Sequence, residues 1–504
     1  MEIPKQTHTG RSIFKNAVYG FSTWILPFGL SFISVPIIVR SLGDKDYGIY
    51  ALVLGFIAYS FNLSFGRAIT KYIAEYRASG ETDKIREVIS ATFFINLAVG
   101  LTSVLIIFLS AEYLVVNAFQ IDEADRDKSI FALYIASLTV FFLMMNQVFN
   151  SILQGIHRFD VYSKITNFNS AAMISGNIFL VLQGYGLTVL LGWNLFITFV
   201  SFLMFVISAK RSLPEFGINL KIRKATVLSI LKFSSGVIGY QILANLFLLF
   251  ERGWITRQLG VENLTYYVVT MSLAIYIHSF IGSLVLIVFP LASELQKDTE
   301  KLLRLYTKAM KIVLFLIVFI CASIIVHSRD FLSLWMGEGF SERAYLLLIL
   351  HTITFSLLAI QTISWQMTEG LGYPQFNALI YAISLVFNWV LMIFLTQPYQ
   401  NTGIALSRTI GFTILFLSIF YCEKWFFGKI QIRFWGKILL MLGAAVFVSI
   451  LFQKFISEAF TVNWAALLGS ILGGGVIYCL LLLLFGYLNA EDKLMLKNIL
   501  KRNG

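Results

Sequence analysis

Residues 165–209, ITNFNSAAMISGNIFLVLQGYGLTVLLGWNLFITFVSFLMFVISA, contain no Asp, Glu, Lys or Arg. About 20 apolar helical residues cross a hydrocarbon core of roughly 30 Å. The run therefore holds two crossings, and Gln183-Gly184-Tyr185-Gly186 in its middle reads as the turn between them. Equally uncharged runs occupy 263–293, 370–407 and 459–490. The stretch 370–422 breaks again at Gln397-Pro398-Tyr399-Gln400. Over all 504 residues, 58% are hydrophobic and 13% charged, against about 25% charged in soluble domains. So few charges exclude a string of soluble domains. The composition is that of a polytopic membrane protein.

Extending this reading along the chain gives fourteen helices, near 17–39, 48–66, 88–111, 129–153, 165–183, 187–209, 233–256, 264–289, 312–328, 344–368, 376–396, 403–422, 438–456 and 464–488. The first run is too long for a signal-peptide core and lacks a small-residue cleavage end, so it is expected to stay as an anchor. With the N-terminus in the cytoplasm, the cytoplasmic segments carry 29 of the 39 Lys and Arg and the outer segments 9, with Arg408 inside its own helix. This threefold bias follows the positive-inside rule and puts both termini in the cytoplasm. The net charge of +12 is thus a record of orientation, and no nucleic acid partner is expected. Loops are short, the longest outer one being the acidic 112–128, so no soluble domain is left to house an enzyme. There is no G-x-x-x-x-G-K-[ST] for nucleotide binding. Cys321, Cys422 and Cys479 lie in apolar runs without ligand spacing and read as small core residues. No metal or cofactor is implied.

The chain also repeats itself. At an offset of 217, Arg40-Ser-Leu42-Gly43 is echoed by Arg257-Gln-Leu259-Gly260, Tyr50 by Tyr267, and Thr82-Asp83-Lys84-Ile85 by Thr299-Glu300-Lys301-Leu302. Gln154-Gly155-Ile156 is echoed by Glu369-Gly370-Leu371. The first and seventh spans run in the same direction, so the repeat is parallel, a construction typical of alternating-access transporters. The expected architecture is all-α, with two six-helix lobes around a central cavity. Residues 1–224 form the N-lobe, 225–425 the C-lobe, and 426–504 two extra helices with a cytoplasmic tail.

The stretch Pro36-Ile-Ile-Val-Arg-Ser-Leu-Gly-Asp-Lys-Asp-Tyr-Gly-Ile-Tyr50 resembles the N-terminal signature of oligosaccharide flippases. These form the polysaccharide-transporter branch of the multidrug/oligosaccharidyl-lipid/polysaccharide exporter superfamily. Ser64-Phe-Gly-Arg-Ala-Ile-Thr-Lys-Tyr-Ile73 and Glu251-Arg252 followed by Arg257-Gln-Leu-Gly260 are similar to the ends of that family's second and seventh helices. The resemblance implies a Wzx-type flippase in the bacterial inner membrane. Its cargo would be undecaprenyl-diphosphate-linked repeat units of O-antigen, capsule or a related glycan, and its pathway partners a polymerase and glycosyltransferases. An ion-coupled multidrug exporter and a lipid II flippase are the alternatives of the same fold. Multidrug exporters often keep a carboxylate in the first or seventh helix; here the first has none and Glu251 is the sole candidate.

A diphosphate-bearing cargo needs cations inside the bilayer, where each costs at least ~2.5–3.5 kcal/mol and normally faces a cavity. Four candidates result. Arg408 is the one charge between Glu369 and Glu423, unless it snorkels to the outer interface. Arg252 lies beside Glu251, and neighbours in a helix point about 100° apart, so each needs its own partner. Arg252 is the phosphate candidate and Glu251 the coupling candidate, against an interhelical ion pair. Arg67 and Lys71 share one helix face and suit a diphosphate arriving from the cytoplasm, or merely serve as a positive-inside flank. Arg40 and Arg257 read as anchors at helix ends, and His278 and His351 as core groups. Residues 72–87 and 294–311 read as amphipathic helices on the inner leaflet.

Overall fold

The computed structural model describes residues 10–60, 65–219, 222–285 and 288–488; the expected cytoplasmic ends, 1–9 and 489–504, lie outside them. All regular structure among the described residues is helical. The helices are α1 (Gly10–Tyr59), α2 (Gly66–Ser79), α3 (Thr82–Tyr113), α4 (Glu123–Gly155), α5 (Phe159–Leu182), α6 (Leu187–Ser212), α7 (Lys224–Leu259), α8 (Val261–Val285), α9 (Val288–Glu294), α10 (Thr299–Met336), α11 (Glu338–Gly370), α12 (Pro374–Thr413), α13 (Phe416–Phe427), α14 (Ile432–Ala459) and α15 (Trp464–Leu484). A π-helical turn, Leu114–Ala118, extends α3.

Eleven stretches among the described residues are long and apolar enough to cross a membrane. Two of these are double. α1 leaves helical geometry at Gly43 and α12 at Gln400. α12 is a hairpin: Ser384 Oγ donates to the Gly411 carbonyl at 2.9 Å and Ser407 Oγ to Asn388 Oδ1 at 2.9 Å, while Gly411 leaves room for Asn388. Dividing both rods and adding α7, uncharged between Lys232 and Glu251, recovers the fourteen segments read from the sequence. Leu109, Leu440, Leu472 and Leu484 are each about 70–80% exposed, apolar surface of the kind that lipid covers. Cys479 belongs to this outer face and not to the core, whereas Cys422 is buried and Cys321 half-buried. In a membrane helix an apolar run marks contact with lipid as readily as with protein, so hydropathy alone misplaces such a residue.

The amphipathic segments also differ from expectation. Residues 82–87 are the first turns of α3, separated from α2 by the left-handed Gly80, and 299–311 begin the 38-residue α10. That helix is roughly 57 Å long, well beyond the bilayer core, so its N-terminal third protrudes. Its apolar stripe, Leu302, Tyr306 and Met310, is wholly buried against other helices instead of lying on lipid. Asp298 starts α10 by accepting from the Lys301 N–H at 3.1 Å, and the Lys301 side chain holds its carboxyl below the ordinary range.

The sequence repeat is written in the backbone. Gly43 (φ 78°, ψ 164°) and Gly260 (φ 91°, ψ 155°) turn successive helices in the same glycine-only conformation. After α4, Arg158 N bonds to Leu153 O at 2.8 Å around the left-handed His157; after α11, Tyr373 N bonds to Thr368 O at 2.9 Å around the left-handed Gly372. Those residues correspond at the offset of 215. Tyr50 and Tyr267 are both buried.

Packing divides the chain into two compact units, Met1–Thr265 and Tyr266–Gly504. Sequence correspondence divides it near 224 instead, because α7 opens the second repeat yet lies against α1. In unit 1, Ile69 and Ile73 of α2, Ile85 and Ile89 of α3, and Phe149 and Ile152 of α4 form one core. The start of α8 sits on the turn after Gly43: Thr265 Oγ1 donates to the Asp44 carbonyl at 2.6 Å, and any side chain at Gly48 would strike the Val261 carbonyl. In unit 2, α14 and α15 dock on α10 through a ladder of polar contacts. Tyr478 Oη donates to Phe315 O at 3.0 Å, Gln453 Nε2 to Ser323 Oγ at 3.2 Å and Ser457 Oγ to Asp330 at 2.8 Å.

Candidate functional site

Arg252 and Glu251 both lie inside unit 1, 8% and 1% exposed. The arginine stem crosses α1 at Gly55, where an added Cβ would stand 2.6 Å from Arg252 Cδ. A bare backbone is thus what admits the guanidinium. Its Nη1 donates to the Ala51 carbonyl, and its plane faces the Tyr59 ring 5.4 Å away. One turn on, Thr256 Oγ1 donates to the Arg252 carbonyl at 2.9 Å. Beside it, Gly253 takes the edge of Phe119, which packs edge-to-face on Phe56. Arg252 therefore clamps α7 to the second arm of α1 while holding a positive charge away from water.

Arg408 lies in the second arm of the α12 hairpin in unit 2 and is 2% exposed, so it does not reach an interface by snorkelling. Its Nη1 points at Met271 Sδ of α8 at 3.0 Å, and the guanidinium faces Phe412 at 5.9 Å. His351 of α11, fully buried and edge-on to Tyr267 at 4.5 Å, is within electrostatic reach. His278 contacts Thr362 Oγ1 at 3.4 Å.

Arg67 and Lys71 are one turn apart on α2. The Arg67 side chain lies outside the described residues; Lys71 is exposed, its Nζ 4.9 Å from the Tyr72 ring. Arg40 and Arg257 are exposed at helix ends. Unit 1 thus contains Arg67, Lys71, Glu251 and Arg252, and unit 2 contains Arg408.

Two features of the structure were not singled out in the sequence. One is a cavity of about 300 Å³ in unit 1, bounded by α1, α4, α5 and α6. Its polar wall includes Asn146, Gln147, Asn150, Tyr162, Thr166 and Asn169. The signal was present: 162, 166 and 169 fall on one helix face, as do 143, 146, 147 and 150. The other is Glu423 at the end of α13, fully enclosed, accepting from Tyr306 Oη at 3.0 Å, Trp435 Nε1 at 2.7 Å and Gln431 N at 2.7 Å.

Long apolar helices, with an arginine enclosed in each of the two compact units, describe a polytopic membrane protein. Residues 37–345 match the polysaccharide biosynthesis protein family, and the chain belongs to it. Among curated proteins it is 21% identical over 405 residues to a Shigella flexneri protein assigned as an O-antigen transporter, covering 79% of this chain and 94% of that one. It is 25% identical over 301 residues to the succinoglycan biosynthesis transport protein ExoT of Rhizobium meliloti, covering 58% of this chain and 56% of that one. Among solved structures, the lipid II flippase MurJ in an inward closed conformation superimposes with a TM-score of 0.74 at 17% identity, over 94% of this chain and 99% of that one. An inward-facing multidrug resistance transporter of the MATE family gives 0.59 at 16%, over 83% and 96%. These two share the fold. The chain is thus a member of a polysaccharide biosynthesis family with the fold of these two membrane transporters.

Proposed function

We propose that the chain flips undecaprenyl-diphosphate-linked oligosaccharide, the repeat unit of O-antigen, capsule or a related glycan, from the inner to the outer leaflet of the bacterial inner membrane. One observation carries the reading. A member of a polysaccharide biosynthesis family, related to polysaccharide transporters, encloses a guanidinium in each unit. A buried cation attracts an anionic diphosphate, and arginine matches phosphate oxygens two at a time. Arg252 and Arg408 are the diphosphate ligands during passage, and Arg67 and Lys71, in the first turns of α2 at the cytoplasmic end of the second span, collect the cargo. Alternating access of the two lobes, 1–224 and 225–425, moves it, with both termini in the cytoplasm. Glu251, an enclosed carboxylate on α7, is the coupling group; it is also the feature that would serve ion-coupled drug export.

Deleting the gene in its own host is expected to remove a surface glycan and to leave its lipid-linked unit accumulating with the sugars facing the cytoplasm. Glycan display unchanged by the deletion, with raised sensitivity to cationic drugs, would favour the exporter.

A further inference from the structure

Unit 1 encloses polar surface that the diphosphate does not account for. The cavity of about 300 Å³ is at the lower end of the range for small-molecule sites, and no Asp, Glu, Lys or Arg lines it. Two of its amides are tied down at one end only. Asn169 Oδ1 accepts from Ser201 Oγ at 2.7 Å, and Asn150 Oδ1 accepts from Ser151 Oγ at 3.2 Å. All four of Asn150, Tyr162, Thr166 and Asn169 line the cavity, and the amide NH₂ ends and the two hydroxyls donate no hydrogen bond among the described residues. The rings of Tyr162 and Phe205, 6.3 Å apart, add an aromatic wall. Asn146, 7% exposed, is anchored by a 3.4 Å bond from Nδ2 to the Thr198 carbonyl.

This donor set fits neither of the obvious occupants. A phosphate would need a cation, and a lipid tail would need no polar partners. Fixed amide donors, hydroxyls that donate or accept, and an aromatic face suit a neutral, polyhydroxylated ring. We propose that this cavity is a sugar subsite, which takes one uncharged sugar ring of the cargo while the arginines elsewhere hold the diphosphate. The inference rests on the flippase reading and adds a basis for specificity. A site that hydrogen-bonds hydroxyls rejects analogues lacking them far more strongly than an apolar pocket rejects extra bulk.

Asn150→Leu and Asn169→Leu keep side-chain volume and remove the free donors. In the full-length protein in its own host, each is expected to cut surface glycan at least tenfold at wild-type membrane abundance. A second measurement reads occupancy itself. With Thr166→Cys, alkylation at position 166, followed by mass spectrometry, is expected to slow several-fold in membranes containing the lipid-linked oligosaccharide. The reference is membranes from cells lacking the glycosyltransferases. Wild-type export by both leucine variants, or labelling indifferent to cargo, overturns the subsite; where a leucine variant fails to accumulate, labelling decides. If deletion of the gene itself leaves glycan display intact, the flippase reading fails. If deletion abolishes display while the leucine variants export normally, only the subsite fails.

Discussion

Arg408→Ala is expected to abolish surface glycan while the variant reaches the membrane in wild-type amount. The expectation follows from what the side chain does for the fold. Placing a guanidinium inside the bilayer costs at least ~2.5–3.5 kcal/mol by insertion scales. Its contacts return part of this: the face of Phe412 is worth roughly 0.5–2 kcal/mol, and the thioether of Met271 is a weak acceptor. Truncation removes that cost together with these contacts, so the variant is expected to insert and fold. Arg408→Lys keeps the charge but not the planar fork, and is expected to export at a rate between the two. Arg252→Ala should give the same phenotype with lower stability, since Arg252 also bonds the Ala51 carbonyl. Quantitative blots of surface glycan and membrane protein check both. Normal display in the single variants and in the double variant would refute the assignment of these cations to the cargo.

Glu423→Ala is expected to act in the opposite sense, lowering stability whatever the cargo. The carboxylate joins three helices of unit 2, because its donors Tyr306, Gln431 and Trp435 belong to α10, to the residue before α14, and to α14 itself. Removing it leaves the buried Tyr306 hydroxyl and the part-buried Gln431 and Trp435 N–H groups without their acceptor, at up to about 1–3 kcal/mol for each group left unsatisfied. A total of several kcal/mol is a large part of the roughly 5–15 kcal/mol that holds a typical domain folded. Detergent-solubilised Glu423→Ala should melt many degrees below the wild type. Glu423→Gln, which keeps an accepting oxygen, should fall between them. An unchanged melting temperature in Glu423→Ala would show that the three bonds are not what docks α13 and α14.

The contrast between these two residues marks where sequence reading succeeds. Arg408 was legible because a charge alone in an uncharged run stands out, with snorkelling to the interface as its one competing explanation. Glu423 was not, since it stands beside Lys424 at a helix end and looks like an ordinary flank. Hydropathy was enough for the spans, and the offset echoes located equivalent turns such as Gly43 and Gly260. The same rules misread 294–311 and Cys479, because amphipathicity and apolarity do not say whether the apolar side meets lipid or protein. Arg252 was legible as a buried charge, but its seat was not: that depends on Gly55, about 200 residues away in the chain. The cavity amides were not legible, because uncharged polar residues are common in membrane helices. Only the folded chain collects those of α4 and α5 around one cavity.

Transport of the lipid-linked glycan itself is the central claim, and reconstitution measures it most directly. The purified full-length chain is placed in vesicles together with lipid-linked oligosaccharide from its own host, and the glycan accessible to an external, membrane-impermeant lectin is followed in time. Lectin-accessible glycan should rise well above that of protein-free vesicles, and Arg408→Ala should remove the increase. Glycan that stays on its original side at the protein-free rate, with a correctly folded protein present, would contradict the account.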